Sequence, residues 1–305
     1  MSVHVFGNIV TPFGTAANNR AETEGNITTL QKLIWHGAPH STVSAEAIRF
    51  ALRRLLAEAD DAGSNRSWDE SVNANVWQDH EFKGWAKEDG ETFIDDDLLG
   101  FMTAEAAKEE GAAGSANVRR AVLEITRAVS LTAWSGDVTF NAASPGATPS
   151  ASKGDNKSKN PVPYGTEVHA TRYQFGFAMT PSRLRNASRA AKAVNAIGSL
   201  RTVAGNHGRF LFDFSPESLI LRITDDPAPR LLYCFDTDDA GKSVNADALI
   251  ARVDSGDIAA DELIFGTADT SAKLAKSLEG AGVAVMGVKA AVAAASKKID
   301  SRVTG

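Results

Sequence analysis

A short stretch of the chain combines residue types that bind phosphate. Residues 41–56 are predicted to form a helix with Ser44 as its N-cap, because a serine hydroxyl can accept a hydrogen bond from a free backbone N–H of the first turn. Arg49 and Arg53 are four residues apart and therefore share one face of that helix. Free N–H groups and a row of arginines can bind a polyanion. Taken by itself, the same pattern also fits a core helix with solvated arginines.

Two loops carry further candidates for contacts with phosphate. One is the long connection 11–40, and the other is the segment 143–165, which is rich in proline, serine and glycine. Basic residues interleaved with glycine and aromatic residues favour binding of a nucleic-acid backbone over reading of bases. The candidates in these loops are Asn19, Arg20, Lys153, Lys157 and Lys159.

Charge is distributed unevenly along a chain whose formal net charge is −6. Residues 58–110 contain sixteen acidic and four basic residues. Residues 168–212 contain seven basic residues, among them Arg172 and Arg209, and no acidic ones. We interpret this as one surface that repels phosphate and another that attracts it, the pattern expected when a polyanion binds a single face.

Signatures of catalysis are few, and we predict no catalytic residue, no metal site and no cofactor. The stretch 236–243 ends in Gly-Lys-Ser, but Asp236 stands where a phosphate-binding loop needs glycine. Glu22 and Glu24 could hold a divalent ion for phosphodiester cleavage, although a solvated loop is the simpler interpretation. Residues 95–97, three aspartates, are interpreted as a solvated acidic turn.

The composition is that of a folded protein from a reducing compartment. With 305 residues, 43% of them hydrophobic, the chain can bury a large core. A single cysteine, Cys234, excludes an internal disulfide framework. Residues 1–14 lack the basic region of a signal peptide, and the apolar stretch 280–296 is too short to span a membrane. We therefore expect a cytoplasmic protein.

Hydrophobic periodicity predicts the elements that position these residues. The predicted strands are 3–10, 118–131, 168–179, 209–214, 219–223, 262–265 and 283–286. The predicted helices are 28–34, 41–56, 181–204, 246–253, 270–278 and 287–297. Residues 58–116 are predicted to be an acidic insertion, mostly irregular or helical, and 143–165 cannot fold by themselves. Without the insertions the order is strand, helix, strand, loop, strand, helix, strand, which is the split βαβ order of an α+β, ferredoxin-like sheet.

Five segments, in this order, resemble one known family. They are 19–27 (Asn-Arg-Ala-Glu-Thr-Glu-Gly-Asn-Ile), 40–49 (His-Ser-Thr-Val-Ser-Ala-Glu-Ala-Ile-Arg), 126–131 (Thr-Arg-Ala-Val-Ser-Leu), 169–173 (His-Ala-Thr-Arg-Tyr) and 203–210 (Val-Ala-Gly-Asn-His-Gly-Arg-Phe). Their order and spacing are similar to those of the backbone, RNA-binding subunit of type I CRISPR Cascade complexes, in the DevR or autoregulator branch of the repeat-associated mysterious protein superfamily.

The resemblance implies a hand-shaped molecule with a modified ferredoxin-like (RRM-like) palm. Residues 1–57 would be the first half of the palm and 58–117 an inserted finger subdomain. Residues 118–225 would be the second half of the palm, with a thumb loop at 141–165. Residues 226–305 would be a C-terminal α/β extension of the palm.

The function that the resemblance implies is non-catalytic and serves antiviral defence. Copies of the subunit would stack into a helical filament along guide crRNA, and the thumb would displace a guide nucleotide at regular intervals. Target DNA would then pair in short segments, so that base pairing carries the specificity of DNA interference. The implied partners are guide crRNA, the target DNA strand through the guide, copies of the same chain and other Cascade subunits, with no membrane.

The resemblance also assigns roles to individual residues. Three of them fall on the helix that would line the guide backbone, next to the loop that contains Arg20. Two others follow Gly100 and match an apolar finger loop that wedges against bases. These five residues are Ser44, Arg49, Arg53, Phe101 and Met102.

Two other functions are considered. A metal-dependent ribonuclease using Glu22 or Glu24 would cut target RNA at regular intervals. A regulator of its own transcription is suggested by the older family name, but the sequence contains no helix-turn-helix motif.

Overall fold

The computed structural model describes residues 2–18, 22–87, 89–105, 115–143, 162–205, 209–238 and 241–303, which form a mixed α+β structure. The strands are β1 (His4–Val10), β2 (Gly14–Ala16), β3 (Thr23–Glu24), β4 (Ile27–Thr28), β5 (Lys32–Trp35), β6 (Ala38–Val43), β7 (Arg66–Asp69), β8 (Ala74–Trp77), β9 (Phe101–Glu105), β10 (Ser115–Arg119), β11 (Leu123–Ile125), β12 (Ala128–Ser130), β13 (Val138–Ala143), β14 (Val162–Glu167), β15 (His169–Thr171), β16 (Tyr173–Met179), β17 (Ser218–Thr224), β18 (Asp236–Thr237), β19 (Val244–Asn245), β20 (Leu263–Thr267) and β21 (Ala284–Met286).

The helices connect these strands and cover the sheet that they form. They are α1 (Ala45–Ala59), α2 (Ile94–Leu99), α3 (Arg189–Gly198), α4 (Asp247–Asp254), α5 (Lys273–Gly280) and α6 (Val288–Val303), with 3-10 turns at Lys83–Ala86, Pro181–Arg183 and Ala260–Glu262. None of the helices in the described ranges is both long enough and apolar enough to cross a bilayer.

The first strand, β1, lies in the middle of the largest sheet. The strand order is β21-β20-β17-β1-β16-β12-β6-β5, and β11 also pairs with β16. All neighbours are antiparallel except β20 and β21. Val5 and Ile9 of β1 belong to a core that includes α1, α3 and α6, whereas Phe6 and Val10 belong to a second core with α4 and α5. This alternation is the period-two pattern of a strand buried on both faces.

Several predicted elements are confirmed to within a few residues. They are β1, α1, β17, α4, β20, α5 and β21, together with α6, which ends six residues later than predicted, and β16, which is the second part of the strand predicted at 168–179. Each is a run with strong hydrophobic periodicity that packs directly on the central sheet, so the local pattern and the tertiary environment agree.

The helix predicted at 28–34 is wrong, because these residues form β4 and β5. β5 pairs with β6 in a tight hairpin, with Trp35 opposite Ala38. The two residues between them, His36 and Gly37, have φ values of 49° and 83°. Two successive left-handed residues are the signature of a type I′ turn, which directs the chain back along itself.

The helix predicted at 181–204 is shorter in the structure, where α3 begins only at Arg189. The backbone N–H groups of Arg185 and Asn186 donate to the Asp97 carboxylate at 2.9 and 3.0 Å. These donors are used by an acceptor far away in the sequence, so the helical hydrogen-bond pattern cannot run through them. The strand predicted at 209–214 is also wrong, since this segment is irregular, with Phe212 and Phe214 buried.

Where the structure describes them, residues 58–116 are mostly irregular or helical, as predicted. The described part of this insertion also contains two hairpins that the sequence does not predict, β7–β8 and β9–β10, beside the short helix α2. Gly100 links α2 to β9 at a φ of 69°, and a Cβ there would lie 2.3 Å from the carbonyl oxygen of Arg119. A glycine is therefore required where α2 turns into this hairpin. The single strand predicted at 118–131 is divided among β10, β11 and β12.

Three consecutive aspartates of α2 are buried, so the solvated acidic turn predicted for residues 95–97 is wrong. Asp95, Asp96 and Asp97 are 1%, 2% and 0% exposed. Asp95 accepts from Arg53 Nε at 3.0 Å and from the backbone N–H groups of Asn65 and Arg66 at 2.7 and 3.1 Å. Hydrogen bonds to a charged carboxylate replace the water that burial removes.

The third aspartate joins three separate elements. Asp97 accepts from Arg119 Nη2 at 2.7 Å and from Arg189 Nη1 at 3.1 Å. Arg189 is itself buried and also donates to Asp60 at the end of α1. We name the set Asp95, Asp96, Asp97, Arg53, Arg119 and Arg189 the aspartate cluster. It fixes the acidic insertion against α1 and α3.

The predicted separation into an acidic surface and a basic surface is therefore wrong for several residues of the basic segment 168–212. Lys192 of α3 is 2.9 Å from Asp60, and Arg172 makes two hydrogen bonds to Glu217 at 2.6 and 3.2 Å. Three of the seven basic residues, Arg172, Arg189 and Lys192, thus pair with carboxylates of the fold. The other four, Arg183, Arg185, Arg201 and Arg209, are exposed.

Substitution Asp96→Asn is expected to change how stability depends on pH. Burial, and secondly the neighbouring Asp95 charge, raise the pKa of Asp96 to about 7, from 3.8. Between pH 4 and 7 the unfolded chain releases this proton while the folded chain keeps it, so the wild-type protein loses stability as pH rises. The variant lacks this loss, and its free energy of unfolding relative to wild type should increase by about 2–4 kcal/mol between pH 4 and 8.

Urea unfolding of both proteins at pH 4, 6 and 8 measures this difference. A difference between the two proteins that does not change with pH would contradict a protonated Asp96 in the folded state.

Candidate nucleic-acid interface

The N-terminus of α1 is fixed as the sequence predicts. Ser44 is the N-cap, with extended backbone, and its Oγ accepts a hydrogen bond from the Ala47 N–H at 3.2 Å. Val43 and Ile48 on either side of the cap are buried in the core. The first turn of the helix is thus rigid while its outer side remains at the surface.

A surface cavity of about 300 Å³ lies at this N-terminus. Its lining comes from the residue pair Asn18 and Gln31 in the long connection 11–40, from β6, from the first turn of α1 and from the residue before Gly205. The lining residues are Asn18, Gln31, Thr42, Val43, Ser44, Glu46, Ala47 and Ala204. The segments 40–49 and 203–210 therefore meet here. We name this feature the α1 cavity.

Two arginines and one carboxylate surround the α1 cavity. Arg127 is exposed, and its Nη1 donates to Thr42 Oγ1 at 3.1 Å and to Gln31 Oε1 at 3.4 Å. Arg49 Nη2 lies 3.7 Å from Glu46 Oε1. The backbone N–H of Glu46 itself, followed by Arg49, Ser44 and Arg127, lowers the pKa of the Glu46 carboxyl. The site therefore carries two guanidinium groups against one ionised carboxylate.

A buried polar network holds the cavity from below. Ser41 Oγ is 2.7 Å from His169 Nδ1 and 2.6 Å from the Tyr173 hydroxyl, which also accepts from Asn18 Nδ2 at 2.9 Å. Burial lowers the pKa of His169 to about 4 and raises that of Tyr173 well above 10. Both side chains are therefore neutral at physiological pH, and their hydrogen bonds connect β6, β15 and β16 with the first loop.

Arg53 does not lie at the α1 cavity. Its guanidinium is paired with Asp95 in the aspartate cluster, and only 16% of its side chain is exposed. Of the two helix arginines predicted to bind phosphate, Arg49 is the one beside the cavity.

The two candidate residues of the finger loop have opposite environments. Phe101 is buried and stacks on Phe82 with ring centroids 3.8 Å apart. Met102, the next residue, is 71% exposed and lies opposite the exposed Val118 in the β9–β10 hairpin. Met102 is the member of this pair that a base could contact.

The other basic candidates lie away from the cavity. Arg172 donates to Glu217 and to the carbonyl of Gly241 at 2.7 Å, so its guanidinium is occupied. Arg209 is exposed, with its guanidinium 5.0 Å from the ring centre of Tyr164 in β14. Arg209 therefore lies at the β13–β14 hairpin, where Phe140 is also exposed. Asn19, Arg20, Lys153, Lys157 and Lys159 lie outside the described residues.

The geometry lends no support to the metal-dependent ribonuclease. Glu22 and Glu24 are both exposed. Among the residues that the structure describes, no three His, Cys, Asp or Glu side chains form a group that could hold a metal ion.

Sequence reasoning missed several residues of the site. Arg127 and Thr42 lie within the segments that carry the resemblance and Asn18 lies beside one, but none of the three is predicted as a site residue. Gln31 gives no distinct signal in the sequence. Arg127 could have been singled out as an arginine of the segment 126–131. Gln31 and Thr42 come close to Arg127 only through the antiparallel pairing of β5 with β6 and of β6 with β12. Asn18 joins them through its hydrogen bond to Tyr173 of β16.

Comparison with known proteins identifies similar chains. Residues 11–239 match the model of a family described as CRISPR-associated negative auto-regulator DevR/Csa2. A protein of Myxococcus xanthus (strain DK1622), named CRISPR-associated protein Cas7/Cst2/DevR, is 57% identical over 306 residues, which cover 99% of each chain.

Two solved structures share the fold. One is described as a CRISPR RNA-guided surveillance complex (TM-score 0.54, 15% identity, 96% of this chain and 99% of the other). The second is described as a CRISPR RNA-guided surveillance complex, pre-nicking (TM-score 0.54, 13% identity, 96% and 100%).

Substitution Arg53→Ala is expected to destabilise the fold, because it leaves the buried Asp95 carboxylate with backbone donors only. Breaking such a pair should lower the free energy of unfolding by about 2–4 kcal/mol. Arg54→Ala is the matched control. The Arg54 side chain is 84% exposed and forms a surface ion pair with Glu58, with Nε 3.6 Å from Oε1. Its removal should change the free energy of unfolding by less than about 0.5 kcal/mol. Chemical denaturation of the three proteins measures both values, and equal stability of the two variants would contradict a structural role for Arg53.

Proposed function

The chain belongs to the DevR/Csa2 family of CRISPR-associated proteins, and we propose that it is a non-catalytic backbone subunit of a type I CRISPR effector complex that binds guide crRNA. The observation that carries this proposal is the α1 cavity. Segments that carry the family resemblance are far apart in sequence, yet they meet there beside Arg49 and Arg127.

The central sheet supports a ferredoxin-like palm for this function. In sequence order, β1, α1, β11, β16, α3 and β17 give a β-α-β-β-α-β series, and the strands lie side by side as β17-β1-β16-β11. The pairs within this set are all antiparallel. This is the arrangement of the fold that RNA-recognition domains use.

Binding at the α1 cavity would be independent of base sequence. Guanidinium groups on Arg49 and Arg127 are suited to phosphate oxygens, which they can contact through several N–H groups. These contacts position an RNA strand and carry no information about its letters. Specificity would then come from base pairing between the guide and its target.

Two hairpins are candidates for the finger and thumb. In this proposal residues 58–117 are the finger and 141–165 the thumb, joined to a palm that residues 226–305 extend. Each hairpin has a large apolar side chain exposed to water: Met102 in the β9–β10 hairpin and Phe140, which is 81% exposed, in the β13–β14 hairpin. Exposed apolar surface of this kind can be buried by a binding partner. We assign Met102 to contact with bases and Phe140 to contact with RNA or the next copy in a helical filament, with other Cascade subunits at the ends.

Co-expression of the chain with a guide RNA and the partner subunits tests the proposal. The expected product is a multimer that co-purifies with guide RNA of defined length, seen by size-exclusion chromatography and gel analysis of the extracted nucleic acid. Recovery of an RNA-free monomer from cells that contain all the components would overturn it.

Substituting Arg49 and Arg127 together by alanine should weaken binding of single-stranded RNA by about ten- to a hundredfold, because two phosphate contacts are lost. The loss should be equal for unrelated RNA sequences, and the slope of log affinity against log salt should become shallower by roughly 1–2. Fluorescence anisotropy at several salt concentrations measures all three quantities.

Arg252→Ala is the matched control for the double variant. Arg252 is half-exposed on α4, which packs on the opposite face of the central sheet, and its removal should leave RNA binding unchanged. A loss of RNA affinity that depends on the RNA sequence would contradict binding through the phosphate backbone.

A further inference from the structure

One buried acceptor at the α1 cavity lacks a partner. Asn18 is 5% exposed, and its Nδ2 donates to the Tyr173 hydroxyl at 2.9 Å. Within the described part of the chain, its Oδ1 is buried and accepts no hydrogen bond. Buried carbonyl oxygens are nearly always paired, so an unpaired one on a residue that lines a cavity points to a ligand that donates.

Tyr173 and Gly205 are the neighbours of this side-chain amide. The Asn18 amide nitrogen donates to the Tyr173 hydroxyl, which is itself 2.6 Å from Ser41 Oγ, so the amide is joined to the buried network. Gly205 lies on the other side at a φ of 112°, and a Cβ there would be 2.9 Å from Asn18 Oδ1. The glycine leaves room beside the oxygen that any other residue would fill.

The polar groups around the cavity select the chemistry of the ligand. Asn18 Oδ1 and the ionised Glu46 carboxylate are both acceptors, so a phosphate placed between them would be repelled. A hydroxyl group can donate to either. The two arginines stand beside these acceptors, where a phosphate joined to that hydroxyl through a sugar could reach them. A ribose with its 2′-hydroxyl meets this description, and deoxyribose does not.

We propose that Asn18 Oδ1 accepts a hydrogen bond from a ribose 2′-hydroxyl, and that the chain thereby distinguishes RNA from DNA. This inference rests on the proposed function and adds to it a means of selecting the sugar. Arg49 and Arg127 bind the backbone of either nucleic acid, whereas Asn18 responds to the single oxygen by which the two differ.

The test compares three labelled single strands of the same length: oligouridine, its 2′-deoxy counterpart and its 2′-fluoro counterpart. Fluorine keeps the ribose-like sugar shape but removes the hydroxyl donor. We expect the wild-type full-length chain to bind the 2′-hydroxyl strand about tenfold more tightly than either of the others, the scale of one well-formed hydrogen bond to a buried group.

Two variants assign the preference to Asn18. Asn18→Ala should bring binding of the 2′-hydroxyl strand down to that of the 2′-deoxy strand. Asn18→Asp keeps an acceptor oxygen and adds negative charge, so it should bind all three strands more weakly yet retain the preference for the hydroxyl. Thermal unfolding establishes that each variant is folded, and if the alanine variant is not, the aspartate variant and the 2′-fluoro strand decide.

The outcomes separate this inference from the proposed function. If the wild-type chain binds all three strands equally, or if Asn18→Ala keeps the preference, the role of Asn18 is overturned while the nucleic-acid grip stands. If the wild-type chain binds none of them, the proposed function itself fails.

Discussion

Burial of three adjacent carboxylates is the constraint on which the arrangement of this molecule depends. Removing ionised carboxylates from water costs several kcal/mol each, and only well-placed donors offset that cost. For Asp95 and Asp97 the charged donors come from separate elements: Arg53 from α1, Arg119 from β10 and Arg189 from α3. Each pair fixes one element relative to α2. As a result α1 is held near its start by the Ser44 cap and the core, and further along by the acidic insertion.

This constraint also explains the uneven charge along the sequence. An acidic insertion next to a basic segment suggested that one face avoids nucleic acid and another binds it. In the fold the two segments largely meet, because Arg189 and Lys192 pair with Asp60 and the backbone of residues 185–186 binds Asp97. The charge left to attract phosphate is therefore concentrated in a few arginines, and a modest negative net charge is compatible with a local cationic site.

The sequence could predict elements whose pattern is satisfied locally or by the central sheet. β1, β16 and α1 alternate or repeat as their neighbours in the core require, and Ser44 caps its helix through a bond three residues away. It could not predict where α3 begins, because that depends on an acceptor 88 residues before Arg185. The sequence also does not predict the hairpins of the insertion. The turn from α2 into β9 requires glycine at position 100 because the Arg119 carbonyl lies so close, and this contact is visible only in the fold.

The candidate site shows the same division at the level of single side chains. Arg49 and Arg53 have the same chemistry and lie one helical turn apart, but the insertion covers only the second, so Asp95 takes Arg53 while Arg49 stays beside the cavity. Phe101 and Met102 are neighbours on a strand, and the pleat sends them to opposite sides. The two-residue period of a strand predicts that one of the two side chains is buried. Phe101 is the buried one because its ring stacks on Phe82, a contact that the sequence does not predict. A side chain can therefore bind a ligand only if the fold leaves it without an internal partner, and residue type and spacing alone do not specify which side chains these are.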